Sequence, residues 1–435
     1  MITNDIKLYE NTALREKYYK YSHPCGLDIY VFPKKLSSSY AILAAHYGSI
    51  DNVLQKAGNT VTVPDGIAHF LEHKLFANED GTDAFEHFSA IGADANAYTS
   101  FNKTAYLFNC TDNFDDSLKI LIDFVTHPYF TKESVERERG IIAQEIKMYD
   151  DSPAEACYYG MLEGLYEKHA IRRNICGSVE SIEEITPELL YECYRVFYNL
   201  SNMALIVCGD LSPERIIAIA DEMLPREKSE AHAVRVRETA LESPAAFMPR
   251  VSKKMKVSKP IFNIGIKDVD IPEDPLQRQR KDAAMSILNE MLFSRAGTLY
   301  NELFESGLIS PEASYCYTIN ESFAFNSLAG ESDSPEEVLA KTCEYLHSIT
   351  ADDLSEEDFE RGKRVMYAEF VKEFDSTDSI ANNMLSFIFD GADILGYSDI
   401  ISDVTLDDVK QLFKDSFKDE YFTLCAVYPL DGQEQ

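Results

Sequence analysis

The sequence predicts an α+β protein made of two copies of one domain, each an antiparallel-rich sheet covered by helices. Three observations carry this. The chain has 435 residues, more than one ordinary core needs, which suits two domains of about 200 residues each. Short apolar runs of strand length alternate with longer stretches of helical period. The chain also echoes itself at an interval of roughly 220 residues.

In the first copy, strands are expected at Leu27–Phe32 and Tyr40–His46, followed by a helix that opens at Asp65-Gly66. A further helix is expected near Thr82–Ile91, and strands at Ala93–Thr99 and Thr104–Cys110. Helices then dominate to Phe197, a strand follows at Met203–Cys208, and a helix starts at Pro213. The second copy is read from echoes. Thr186-Pro-Glu-Leu-Leu with Phe197 and Met203-Ala-Leu-Ile-Val returns as Thr405-Leu-Asp-Asp-Val with Phe417 and Thr423-Leu-Cys-Ala-Val. Glu133, Val135, Glu136, Arg137 and Glu145 return as Glu357, Phe359, Glu360, Arg361 and Glu369. Residues 226–250 are polar and poorly periodic, as a linker is, so the expected domains are 1–225 and 251–435.

The segment Asp65-Gly-Ile-Ala-His69-Phe-Leu-Glu72-His73 places two imidazoles and a carboxylate within five residues of one helix. At i and i+4, His69 and His73 share a face, so both can reach one zinc ion at roughly 2.0–2.1 Å. Glu72 lies beside them, where a general base would take a proton from a water acidified by zinc. The order is that of the inverted zincins. Ile67, Phe70, Leu71, Leu75 and Phe76 supply the apolar positions that bury the helix and hold the ligands rigidly. A third ligand must come from elsewhere. The long helical pattern from Thr131 carries Glu138 and Glu145, seven apart on one face, so one could bind the metal while the other orients a ligand.

Composition bounds the function. A 45% hydrophobic and 26% charged chain is that of a soluble globular protein. A formal charge of −33 excludes nucleic-acid binding, which phosphate repulsion would oppose, and is compatible with cationic peptides, although a solvated surface is its simplest use. No apolar run long enough to span a membrane and no signal-type N-terminus is seen, so a cytoplasmic protein is expected. Nine cysteines are scattered without C-x-x-C pairs, which reads as reduced core thiols rather than a cysteine metal site or nucleophile.

These residues, together with Gly92-Ala-Asp-Ala-Asn96-Ala97-Tyr98-Thr99-Ser-Phe-Asn-Lys-Thr104-Ala-Tyr106, make a family visible. The chain resembles the pitrilysin, insulin-degrading and mitochondrial processing peptidases, most closely their small bacterial two-domain members. The resemblance implies one zinc per chain held by His69, His73 and Glu145, with Glu72 as base and Glu138 as a supporting acid. It also implies that Asn96, Ala97, Tyr98 and Thr99 bind substrate, a peptide added as a strand at the sheet edge. Without the resemblance, Asn96 reads as a residue capping its own backbone. The two domains would form half of a clamshell whose closed chamber admits short or unfolded peptides. Zinc rather than manganese or cobalt follows from ligand type and from the family.

Two departures stand out. In the second copy the segment around Gly297–Leu308, read as the counterpart of the motif helix, has no histidine. Active relatives also carry an Arg and Tyr pair that stabilises the oxyanion, whereas this chain has no arginine between Ala296 and Glu360, and Phe304 stands where the arginine is expected. The expectation is therefore the catalytic subunit of a heterodimer whose related partner supplies the Arg and Tyr, a homodimer being the lesser choice. The alternative is a non-catalytic assembly or peptide-binding subunit of the same fold.

Overall fold

The computed structural model describes residues 6–56, 59–79, 81–228, 234–235 and 242–430. Its strands are β1 Lys7–Asn11, β2 Glu16–Ser22, β3 Asp28–Pro33, β4 Ser39–Ala45, β5 Val53–Lys56, β6 Asn59–Thr62, β7 Asp94–Thr99, β8 Thr104–Cys110, β9 Met203–Gly209, β10 Val234–Arg235, β11 Arg250–Met255, β12 Ile261–Lys267, β13 Ser314–Ile319, β14 Ala324–Glu331 and β15 Phe422–Pro429. The helices are α1 Ile67–Leu75, α2 Ala84–Ala90, α3 Phe114–Thr126, α4 Lys132–Asp150, α5 Pro153–Leu165, α6 Val179–Glu183, α7 Pro187–Phe197, α8 Pro213–Met223, α9 Pro275–Phe293, α10 Thr298–Glu305, α11 Pro335–Ser348, α12 Glu356–Lys372, α13 Thr377–Phe389, α14 Tyr397–Asp403 and α15 Leu406–Ser416. No helix among the described residues is long and apolar enough to cross a membrane.

Helix starts follow local chemistry. Ser152, Thr186, Ser212 and Asp274 each precede a proline at the first turn, and each side chain accepts a backbone N–H two residues beyond that proline. Thr405 closes a capping box with Asp408.

The duplication is written in the sheets. The first sheet runs β1-β2-β3-β9-β4-β8-β7 and the second β11-β15-β12-β14-β13. Remove the β1–β2 hairpin and the two orders coincide strand for strand. Among the described residues each sheet has one parallel pair, at the same place in the order, β3 with β9 and β11 with β15. A small ribbon, β10-β5-β6, stands apart. By this order the first helix between β12 and β13 is α9, so α9 rather than the Gly297 segment occupies the place of α1; α10 follows it as α2 follows α1. Neither α9 nor α10 contains histidine.

Packing divides the chain differently from its repeat. One compact unit takes the described residues of 1–146, 174–238 and 371–396, and the other those of 147–173, 239–370 and 397–435. Corresponding helices have been exchanged: α5, from the first copy, packs on β11, β12 and β15, while α13, from the second, packs on β4 and β9. Glycines permit the close approach of α5. A Cβ on Gly160 would lie 2.4 Å from Cys425 Sγ, one on Gly164 2.2 Å from Thr423 Oγ1, and one on Gly265 of β12 2.7 Å from Met161 Cγ. Boundaries at 225 and 251 follow the repeat and not these units. Of the expected linker, residues 229–233 and 236–241 lie outside the described residues.

In the second unit, Asp282 on α9 accepts a 2.5 Å hydrogen bond from Tyr397 Oη. Burial pushes its carboxyl up to about 6, against the opposing effect of that hydrogen bond. A carboxyl raised on folding favours the protonated fold, so its contribution is fully present below the ordinary value of 3.8, is lost as pH rises from there through about 6, and above that the fold bears the full cost of the charge. Asp282→Asn keeps an acceptor for Tyr397 and is expected to add about 1–3 kcal/mol at pH 8 and about half as much at pH 5, read from urea unfolding at both values. An equal gain at both values would show that the charge carries no cost.

In the first unit, β9 is buried along its whole length between β3 and β4, an unbroken apolar run as a central strand requires. Helix α1 packs on β7, β8 and α7, with Phe70 and Leu71 fully buried, and this fixes the face that carries the histidines.

Candidate metal centre

The first element of the site is the start of α1. Gly66 is its N-cap at φ +88°, a left-handed conformation that glycine adopts without strain. A Cβ there would also fall 2.3 Å from the Cys176 carbonyl oxygen. Gly177, at φ +75°, faces the Asp65 carbonyl in the same way, at 2.5 Å. Ser181 Oγ donates to that carbonyl at 2.8 Å. Two glycines and one hydroxyl thus pin the segment Asn174–Ser178 against the head of the motif helix.

The second element is α4, capped by Thr131, whose Oγ1 accepts the Ser134 N–H at 3.1 Å. Its face brings Glu138 and Glu145 to the histidines. Glu145 spans both rings, with Oε1 3.6 Å from His69 Nε2 and Oε2 3.3 Å from His73 Nε2. Glu138 Oε1 takes the far side of the second ring, 3.1 Å from His73 Nδ1. A carboxylate on Nδ1 fixes the ring so that Nε2 looks into the site.

The third element is the end of β7. Glu72 is 8% exposed, and Thr99 Oγ1 donates to its Oε2 at 2.6 Å. Burial raises the Glu72 carboxyl above the ordinary range, opposed by His69, by the Thr99 hydrogen bond and by His73. Burial alone would lower His73, but hydrogen bonds to Glu138 and Glu145 outweigh it and push the ring up to about 10. Those from His69 and His73 hold Glu145 well below the usual carboxylate range. Three carboxylates around two imidazoles make a place that calls for positive charge.

These residues fit a zinc ion. Bonds of 2.0–2.2 Å at tetrahedral angles separate a nitrogen from an oxygen ligand by about 3.4 Å, and each histidine Nε2 lies near that distance from one oxygen of Glu145, His69 3.6 Å from Oε1 and His73 3.3 Å from Oε2. His69, His73, Glu145, Glu138 and Glu72 are therefore assembled in one place. A further side chain joins them: Cys176, 5% exposed, lies with Sγ 3.8 Å from His69 Nε2 and within 4.8 Å of a Glu145 carboxylate oxygen. The expectation that all the thiols are remote core residues misses it, because no spacing links Cys176 to a histidine 107 positions away.

The four expected substrate positions lie on β7, which among the described residues pairs with β8 alone and so forms the sheet's edge. Asn96 is exposed, and its Oδ1 accepts the N–H of Ala97 at 2.9 Å, a self-capping contact. Tyr98 Oη donates to Asn382 Oδ1 on α13 at 3.0 Å. Thr99 is the partner of Glu72. Three of the four side chains are thus already engaged within the protein. In the second unit Phe304 is 44% exposed and stacks on Tyr300.

Comparison with known proteins follows the same lines. Residues 56–178 match the family described as Insulinase (Peptidase family M16), and residues 184–366 match the Peptidase M16 inactive domain. The zinc protease YmfH of Bacillus subtilis (strain 168), itself uncharacterized, is 38% identical over 427 residues, covering 98% of this chain and 99% of its own. A probable mitochondrial-processing peptidase subunit beta of Schizosaccharomyces pombe is 29% identical over 190 residues, 43% of this chain and 40% of its own. The crystal structure of an M16-like peptidase from Alicyclobacillus acidocaldarius superposes with a TM-score of 0.89 at 29% identity, over 94% of this chain and 98% of that one.

Proposed function

The chain belongs to peptidase family M16, and from that premise we propose that it is a zinc-dependent endopeptidase of short or unfolded peptides, acting as the catalytic subunit of a heterodimer. The observation that carries the reading is Glu145 bridging the Nε2 atoms of His69 and His73 while Glu72 is held beside them by Thr99. Zinc supplies a Lewis acid that makes water nucleophilic at neutral pH. His69, His73 and Glu145 hold the ion, and Glu138 orients His73 through Nδ1. Glu72, raised by burial, is suited to take a proton from water and return it to the leaving amine. Thr99 fixes the carboxylate that does so.

The edge of β7 offers backbone to an extended peptide. Asn96 Oδ1 accepts the Ala97 N–H, so a strand added at this edge would displace that contact and free the carboxamide for the peptide backbone. The exchange asks only for an extended backbone, which suits unfolded peptides enclosed in a chamber.

Between Ala296 and Glu360 the sequence has no arginine, and Phe304 at the position expected for the arginine favours a related partner chain that supplies the Arg and Tyr. The absence of such a donor costs about 10²–10³ in turnover. The test is hydrolysis of a quenched fluorescent library of unstructured peptides by the zinc-loaded chain, alone and mixed with a related chain carrying the Arg and Tyr. The expected result is slow turnover alone and a rise of about 10²–10³ on mixing. Full turnover by a monomer or homodimer would remove the partner from the proposal. Zinc binding with no turnover in either sample would favour the assembly or peptide-binding alternative.

A further inference from the structure

We propose that Cys176 is a fourth ligand at this centre, so that in the resting chain a thiolate, rather than water alone, competes for the position left open by His69, His73 and Glu145. The inference rests on the metal-site reading above and goes beyond it.

A zinc–sulfur bond of about 2.3 Å and a zinc–nitrogen bond of about 2.0–2.1 Å at a tetrahedral angle put sulfur and nitrogen about 3.6 Å apart. Cys176 Sγ lies 3.8 Å from His69 Nε2, the same nitrogen that faces Glu145. Sulfur, nitrogen and carboxylate oxygen lie mutually within 4.8 Å. A thiol packed only as core would owe nothing to these separations.

A second observation points the same way. The His69 side chain is 9% exposed, and its Nδ1 has no hydrogen-bond partner among the described residues. A buried imidazole without that support is held only through Nε2, whose neighbours are Glu145 and Cys176. The cysteine's place is also fixed by backbone. Gly66 and Gly177 let the two segments approach as closely as carbonyl contact allows, and Asn174 Oδ1 accepts the Cys176 N–H at 2.9 Å. Sulfur is therefore presented to the site by a turn that has little room to shift.

The Cys176 thiol gives its proton to solvent, the sulfur–metal bond forms, and a water leaves the fourth position. The chain then holds its metal through two imidazoles, one carboxylate and one thiolate, a donor set nearer to closed zinc sites than to open ones.

Cobalt(II) is the probe, added to the whole chain kept reduced by a phosphine. The parent is expected to retain one cobalt with a thiolate-to-cobalt charge-transfer band in the near ultraviolet. Cys176→Ala should retain the cobalt and lose the band. Bound cobalt with its visible bands but no charge transfer, or a band that survives in the variant, would overturn the proposal and leave the metal-site reading standing. A parent that retains no cobalt would overturn both. X-ray absorption at the zinc edge of the unaltered chain is independent of any variant: one sulfur at about 2.3 Å supports the ligand, and a shell of nitrogen and oxygen alone refutes it.

Discussion

Glu72→Gln leaves zinc bound and lowers peptide turnover by roughly 10²–10⁴. The two side chains have the same shape, and the amide oxygen still accepts the Thr99 hydroxyl that donates to Glu72 Oε2 at 2.6 Å, so the strand end and α1 keep their contact. What is lost is the capacity to hold a proton. The nearest other carboxylates do not replace it: Glu145 is held in its ionised form by two imidazoles, and Glu138 is turned to His73 Nδ1. The check is kcat/KM on quenched peptides beside zinc content per chain. Unchanged turnover would take the base away from Glu72, and loss of zinc would make Glu72 part of the ion's binding set.

The motif was legible because its chemistry is local. Positions 69, 72 and 73 share one helix, and a period of 3.6 residues is enough to put them on one face. Strand Thr104–Cys110 is found with both ends as expected, since an apolar run bounded by turn residues has few other readings. The N-terminal hairpin was not legible. Glu16–Ser22 is rich in tyrosine and lysine, and only its Tyr18 is buried, so it lacks the apolar alternation of a half-buried strand.

Echoes in sequence identify copies of a fold but not which sheet a helix covers. The exchange of α5 and α13 is therefore invisible to them, although Gly160 and Gly164, spaced one turn apart on α5, are the kind of signal that marks a close approach to a neighbour. Cys176 lies at the other extreme. Its meaning comes from a loop brought to α1 by packing, and the glycines that bring it, Gly66 and Gly177, read in sequence only as helix punctuation. Thr99 is intermediate: the family resemblance implies a substrate contact, while its hydroxyl faces Glu72 across the start of the site.

The pair Glu138 and Glu145 decides how the centre is organised, because a spacing of seven leaves open which carboxylate binds the ion. Their geometry separates them. Glu145 reaches the Nε2 atoms of both histidines at 3.6 and 3.3 Å, whereas Glu138 reaches only Nδ1 of His73. Glu145→Ala is therefore expected to remove a ligand. Structural sites with four protein ligands bind zinc with about 10–16 kcal/mol, so one ligand is worth roughly 3–4 kcal/mol, or on the order of 10²–10³ in affinity. Glu138→Ala removes an orienting contact and should weaken zinc by about 10–100-fold, with the ion still bound at stoichiometric zinc. Competition against a chromophoric chelator at fixed pH measures both. The order of the two variants is the decisive reading, since general damage to α4 would weaken them alike. If Glu138→Ala proved the more severe, the ion would lie on the Nδ1 side of His73, and the placing of Glu72 and Cys176 around it would have to be argued afresh.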